Sequence, residues 1–285
     1  MKTTHLNQLI QEVKWMSKKR SQNYVAAKSQ VSTAVISKIV NGDLSQISDS
    51  LLNKIQSNLK IDPNWNIAIT DNLEGLYNCC RDAQLDSLLL CISDKAGKGK
   101  TNAFEYYDRK NNNVFHIECQ KTWTQKVFVK QLLITLGKKP QGTTWQMLEE
   151  FDRAIRNIEN GLLIIDQADH LKEPQFNMIM DFSNDYKGRL GIIISGVKHL
   201  ERKMRAGVLK EKGSYDELES RFGRTYIELN PVSLKDVTKI CFANGVENPS
   251  QIQTIYDTCG GDLRRVKRDV QKIKIGQRPR VKLAS

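Results

Sequence analysis

A chain of 285 residues with 39% hydrophobic and 27% charged residues has room for a buried core of roughly 100 to 200 residues and one or two smaller modules. The net charge of +12 is uneven: residues 1 to 66 hold nine Lys/Arg against four acids, residues 264 to 285 hold nine against one, and the remainder sums to −1. A near-neutral centre between basic ends points to a polyanionic partner, most simply nucleic acid. No apolar run approaches the roughly 18 residues of a membrane span, the first residues lack a signal-peptide core, and the six cysteines include no C-x-x-C pair. Membrane, disulfide-framework and zinc-site classes are set aside, and a reducing cytoplasm is expected.

Residues 1 to 63 read as short helices with apolar positions three and four apart, closed by Asp62-Pro63-Asn64. Residues 22 to 39 resemble a helix-turn-helix of the phage-repressor type. Ala26 sits where two helices pack closely, Val31 and Ile36 fill the core, Ser32 caps the second helix, and Gln30 stands at the usual turn glycine. Thr33, Ser37 and Lys38 would face a major groove, with Lys18, Lys19 and Arg20 free for phosphates. Such short side chains favour nonspecific binding; a small helical docking domain is the other reading.

Residues 67 to 230 alternate apolar and helical segments: 88–93, 114–119, helical 124–136, helical 143–160, 162–166, helical 174–185, 190–195 and 225–229. The alternation predicts an α/β fold, a parallel sheet with helices on both faces. Thr143-x-x-Gln146 reads as a capping box, and Gly161 as the cap ending that helix. Residues 231 to 275 predict a small helical bundle, and 276 to 285 a loose basic tail.

The chemistry begins where the first apolar run opens into Asp94-Lys-Ala-Gly-Lys-Gly-Lys-Thr101. Gly97 and Gly99 permit a turn whose successive N–H groups cradle a phosphate at a helix start, with Ala96, Lys98 and Asn102 around it. Lys100 would reach the β- and γ-phosphates and Thr101 would give its hydroxyl to Mg²⁺. The first glycine of G-x-x-x-x-G-K-[ST] is replaced by Asp94, at the strand exit. Asp166, ending the second buried run Leu162-Leu-Ile-Ile-Asp166, is the carboxylate that would partner Thr101 in holding the metal. Gln167 follows where a glutamate would polarise the attacking water; an amide cannot take that proton. Hydrolysis is expected to be slow, either because the protein is a nucleotide switch or, the preferred reading, because a glutamate was replaced to trap the triphosphate state.

Taken together these segments resemble the AAA+ ATPases over residues 67 to 275, with a helical lid behind the core. The resemblance makes Ser195 a polar sensor of the γ-phosphate, Arg221 in Glu219-Ser-Arg-Phe222 an arginine finger reaching the neighbouring subunit, and Arg264 in Gly260-Gly-Asp-Leu-Arg264 a lid contact to phosphate. The layout behind a helix-turn-helix is similar to the phage Mu B and TnsC-like transposition regulators. What that implies is an ATP- and Mg²⁺-dependent homo-oligomer, a filament or ring with ATP at its interfaces, on double-stranded DNA, serving a DDE transposase. DNA contacts would come from Lys121, Thr122, Thr124 and Lys126, with Lys198, Arg202, Lys203 and Arg205 a second strip. A helix start capped by Thr122 or Thr124 is the plainer reading of the first group. A replication initiator or helicase loader, and an ATP-gated transcription regulator, are the alternatives.

Overall fold

The computed structural model describes residues 3–212 and 215–277. The basic tail, with Arg278, Pro279 and Arg280, lies outside the described residues from 278 on. At the N-terminus α1 (Thr3–Lys19), α2 (Gln22–Ser29), α3 (Thr33–Asn41) and α4 (Asp49–Asn58) enclose their own core of Leu9, Val13, Val25, Ile36, Ile39, Leu52 and Ile55. Hydroxyls set the helix starts: Ser21, Ser32 and Ser48 accept the N–H groups of Tyr24, Val35 and Leu51. Gln30 takes the left-handed conformation (φ 57°) at a cost on the order of 1 kcal/mol for a side chain with a Cβ. Its N–H bonds the carbonyls of Ala26 and Ala27, so the turn forms without glycine. Ala26 is buried as expected, whereas Val31 is only partly buried.

The central unit runs α5 (Asp71–Leu85), β1 (Leu89–Ser93), α6 (Lys100–Lys110), β2 (Val114–Glu118), α7 (Gln125–Thr135), α8 (Thr144–Ile155), β3 (Gly161–Asp166), a 3-10 turn (Ala168–His170), α9 (Glu173–Asp185), β4 (Leu190–Gly196), α10 (His199–Leu209), α11 (Tyr215–Arg221) and β5 (Tyr226–Ile227). The five strands are parallel in the order β2-β3-β4-β1-β5. Leu162 and Ile164 pack with Phe104 and Tyr107 under α5 and α6, while Leu163 and Ile165 pack with Phe128, Phe151 and Phe176 on the other face. Burial on both faces is why these strands read as unbroken apolar runs. The chain reverses beside the carboxyl ends of β1, β3 and β4, where open α/β sheets hold ligands.

Three sequence expectations are corrected. The helix expected over 143–160 stops at Ile155, and Gly161 is not its cap: it opens β3, pressed against Leu190, where a Cβ would lie 2.9 Å from Leu190 Cδ1. The strand expected over 225–229 pairs only at Tyr226 and Ile227. Third, α5, α10 and α11 fill stretches to which sequence patterning assigned no helix.

Behind β5, α12 (Leu234–Ala243), α13 (Pro249–Cys259) and α14 (Leu263–Gly276) bury Val237, Ile240, Ile255, Val266 and Val270 in a separate small core. The segment joining α4 to α5 is fastened along this bundle. Asp62 pairs with Lys267 at 2.7 Å, Asn64 gives its carbonyl to Lys274, Asn66 and Asn244 exchange hydrogen bonds, and Asp71 pairs with Lys239. The same segment therefore leads from the N-terminal helices and braces the C-terminal ones. The N-terminal helices in turn dock on α6 through the buried Asp108, which takes Arg20 at 2.6 Å and Lys28 at 3.3 Å. Burial alone would raise the Asp108 carboxyl, and the Lys28 ammonium and Arg20 guanidinium outweigh it and hold it below its usual value. Lys19 donates to the Arg109 carbonyl. Lys19 and Arg20, expected to be free for phosphates, are thus engaged inside the molecule.

Candidate nucleotide site and nucleic-acid interface

β1 ends at Ser93, and the next six residues turn tightly before α6 begins at Lys100. Gly97 and Gly99 have φ of +86° and +89°, and a Cβ at Gly97 would collide with Asp262 at the start of α14. The Gly97 carbonyl accepts the Leu263 N–H at 2.8 Å, so the turn is roofed by the C-terminal bundle. No side chain caps the start of α6; its first N–H groups stay available to an anion, the donor set a phosphate needs. A cavity of about 440 Å³ opens here, lined by Gly97 to Asn102, Asp166, Gln167, Gly196 and Arg264.

The catalytic candidates converge on it from separate strands. Thr101 donates to Asp166 Oδ2 at 2.5 Å, which puts a hydroxyl and a carboxylate together at the spot a hard divalent cation would require. Lys100 is buried and donates to the carbonyls of Asp94 and Lys95 at 2.8 and 2.9 Å. Burial pushes its ammonium down, against the pull of Asp94 and Asp166. Side chains alternate along a strand, so Ser195 shares the face of Ile193 and Asp166 that of Ile164, both towards α6. The Ser195 hydroxyl is fully buried and finds no hydrogen-bond partner among the described residues; orphaning such a group costs about 1 to 3 kcal/mol, which suits a hydroxyl that waits for an acceptor. Gln167 is held in the left-handed region (φ 55°) with its N–H on Asp166 Oδ1.

Asp94 is more than a strand exit. Its carboxylate, 2% exposed, accepts the N–H groups of Lys95 and Leu229 and the Lys98 ammonium at 2.6 Å, and Lys98 also donates to the Leu229 carbonyl. Burial is offset by these donors, and the carboxyl is held low. Lys98 is therefore a fastener between the turn and the segment following β5, while Lys100 is a buried cation lining the cavity. Arg264 lines the cavity and pairs with Asp262 at 2.8 Å. Arg221 lies elsewhere, at the end of α11, paired with Glu217 at 2.7 Å, so the structure does not bring it to this chain's own cavity.

The nucleic-acid candidates divide. Lys121, Thr122 and Lys126 are exposed beyond β2, while Thr124 caps α7 by accepting the Val127 N–H. Trp123 anchors this turn, and His170 Nδ1 lies 3.0 Å from the Cys119 carbonyl, tying its base to the turn after Asp166. Thr33 bonds Asn23, Lys38 bonds Gln46, and Ser37 is half-buried on α3. The second strip is largely engaged: Lys198 pairs with Glu228, Arg205 with Glu201, Lys203 donates to backbone carbonyls and Arg202 to the Lys198 carbonyl.

Residues 81–204 match an AAA domain family and residues 14–66 a helix-turn-helix family. The chain is 23% identical over 239 residues to the ATP-dependent target DNA activator B of Escherichia phage Mu, covering 81% of this chain and 75% of that one, with the same figures for phage D108. Identity is 22% over 195 residues, 65% of each chain, to the Mu-like prophage FluMu DNA transposition protein B of Haemophilus influenzae. The chain is similar to the Mu B-type transposition proteins and carries an AAA domain behind a helix-turn-helix. Among solved structures, NtrX from Brucella abortus is 15% identical with a TM-score of 0.49, over 84% of this chain and 59% of that one.

Sequence reasoning missed the other wall of the cavity. Trp65, Ile67 and Ala68 of the connecting segment face Ile240, Leu263 and Lys267 of the bundle across it. Their only signal was the isolated Trp65 beyond Pro63, with no motif to mark it. Asp169 was also missed: it accepts the Val197 N–H and pairs weakly with His170. Among the described residues no helix is long and apolar enough to cross a membrane.

Proposed function

We propose that this chain binds ATP with Mg²⁺, assembles on duplex DNA with little sequence preference, and presents target DNA to a DDE transposase. The observation that carries it is the closure of one cavity by the Gly97–Thr101 turn, Asp166, Gly196 and the bundle residues Leu263 and Arg264, with the orphaned Ser195 hydroxyl buried next to Gly196. The relatives named ATP-dependent target DNA activators support the DNA side of the reading. In the proposed roles Lys100 and the α6 N–H groups hold the β- and γ-phosphates, Thr101 and Asp166 hold the metal, and the apolar wall of Ile67, Ala68 and Ile240 takes the base. Mg²⁺ bound there would neutralise charge on the transferred phosphate oxygens. Ser195 would donate to the terminal phosphate, and Gln167 can orient water but not deprotonate it, so turnover is slow.

Arg221, away from this chain's own cavity, is assigned to a neighbouring subunit's nucleotide, its pairing with Glu217 being an exposed one that is easily exchanged. Electron microscopy on random-sequence duplex tests the whole reading: regular assemblies are expected with ATP and none without it. Arg221→Ala should bind ATP as an isolated subunit and fail to assemble. Assembly that ignores nucleotide, or attachment to one sequence alone, would overturn the reading.

A further inference from the structure

The docking of the helix-turn-helix turns several of its cations away from DNA, leaving Lys18 exposed on α1 and Lys38 of α3 bonded to the neutral Gln46. Lys19, Arg20 and Lys28 point into the interface with α6, and Lys54 donates to the Gln30 carbonyl. The exposed edge formed by the start of α2 and the start of α3, joined by the Thr33–Asn23 hydrogen bond, carries hydroxyls and amides rather than charge. A polar edge of that kind can touch bases but does not hold a backbone that carries one negative charge per roughly 1.7 Å.

The ATPase unit brings charge to the same place. The turn between α7 and α8 passes directly over the first residues of α2: a Cβ on Gly137 would lie 3.1 Å from Tyr24 Cα and 3.2 Å from Tyr24 N, and Gly137 needs its φ of +71° to fit there. Lys138 and Lys139 follow at once, both exposed and, among the described residues, without an ion-pair partner. The Lys138 N–H bonds the Leu133 carbonyl, which fixes where the turn leaves α7. A lysine side chain reaches about 6 Å from its Cα, enough to stand beside the Ser21–Asn23 edge.

We infer that the DNA-binding face is composite: α2 and α3 supply the groove contacts, and Lys138 and Lys139 of the ATPase unit supply the flanking phosphate contacts, so the face depends on the docking of the two units, to which the Asp108 ion pairs contribute. The partner is duplex DNA, bound through its backbone. This rests on the DNA-binding reading above and adds a surface to it.

The test uses the full-length chain and fluorescence anisotropy with a random-sequence duplex between 50 and 200 mM salt. The double variant Lys138→Glu/Lys139→Glu should weaken binding by roughly 10-fold or more and lower the slope of log K against log salt by about 2. Lys138→Gln/Lys139→Gln should give the same slope change with a smaller loss. Fluorescent-nucleotide binding should be unaltered in both, which confirms folding. In an Asp108→Asn background, where the docking loses its Arg20 and Lys28 ion pairs but keeps the Lys60–Glu105 and Arg109–Glu12 pairs, the same charge reversal should have a smaller further effect. Unchanged affinity and slope in both double variants would overturn the inference while leaving DNA binding by the wild type intact. An equal loss in the Asp108→Asn background would also overturn it, because the lysines would then act apart from the helix-turn-helix. If the wild type bound no duplex with or without ATP, the DNA-binding reading itself would fall.

Discussion

The nucleotide cavity and the helix-turn-helix flank are both rich in lysine, yet their lysines have opposite fates. At the cavity the backbone dictates the arrangement: a strand end, two glycines with positive φ and a helix start put Lys100 and Thr101 in place, and Asp166 arrives from a neighbouring strand. At the flank no local rule decides what a lysine meets. Lys19, Arg20 and Lys28 look like a solvated basic run in the sequence, and tertiary packing turns them onto Asp108 and the end of α6. A cation fixed by a local backbone motif can be assigned from sequence; a cation on a helix face cannot, because its partner comes from residues some 80 to 90 positions away.

The largest break in that comparison is expected at the cavity. Lys100→Ala removes a buried ammonium that lines it and should weaken ATP binding about 100-fold or more, measured by calorimetric titration. Affinity within a few-fold of the wild type would mean that Lys100 is not the phosphate cation. At the flank, Asp108→Ala leaves Arg20 and Lys28 without their buried anion and should cost about 3 kcal/mol in denaturant unfolding of the full chain. The pH dependence has a definite sign. A carboxyl held low when folded contributes stability that is complete above its unfolded value of about 3.9 and is lost as pH falls through the folded one. The wild type and Asp108→Asn should therefore differ at neutral pH and converge only in strong acid.

The same contrast explains what was legible. The parallel sheet and the meeting of Thr101 with Asp166 followed from apolar runs and motif spacing, and Ser195 was picked out by the family resemblance, its burial then fixed by strand alternation. Sequence could also place α3 from Ser32, despite Gln30, since a hydroxyl cap and buried Ile36 outweigh one strained turn residue. The strap over Asp62, Asn64, Trp65 and Asn66 was not legible. Its partners Lys267, Lys274 and Asn244 lie about 180 to 210 residues away, and each contact is an ordinary surface pair until the lid is folded over it. Asp94 was misjudged for the same reason, since its meaning depends on Leu229.

Asp94→Asn sharpens the point by its sign. If the carboxylate only opposed nearby phosphates, removing its charge would strengthen ATP binding. Because it fastens the turn to Lys98 and Leu229, the variant should instead weaken binding by about 10-fold or more, the loss of a hydrogen bond to a charged group. Hydrogen exchange should rise at both Lys95 and Leu229, and Lys98→Ala should move binding in the same direction. Tighter ATP binding in Asp94→Asn would refute the fastening role.

The smallest expected effect is on the exposed turn after β2. Lys121 has no geometric role in the fold that its exposure reveals, whereas the neighbouring Thr124 is tied up as a cap and Trp123 as an anchor. Lys121→Ala should leave unfolding within about 0.5 kcal/mol of the wild type. It should weaken duplex binding only a few-fold and lower the salt slope by about 0.9, the value for one phosphate contact. The loss should be equal on duplexes of different sequence, since a lysine on a phosphate oxygen reads no base. A loss confined to one sequence would move Lys121 from the backbone to a base edge, and an unchanged slope would remove this turn from the DNA path and leave the docked helix-turn-helix flank as the principal contact.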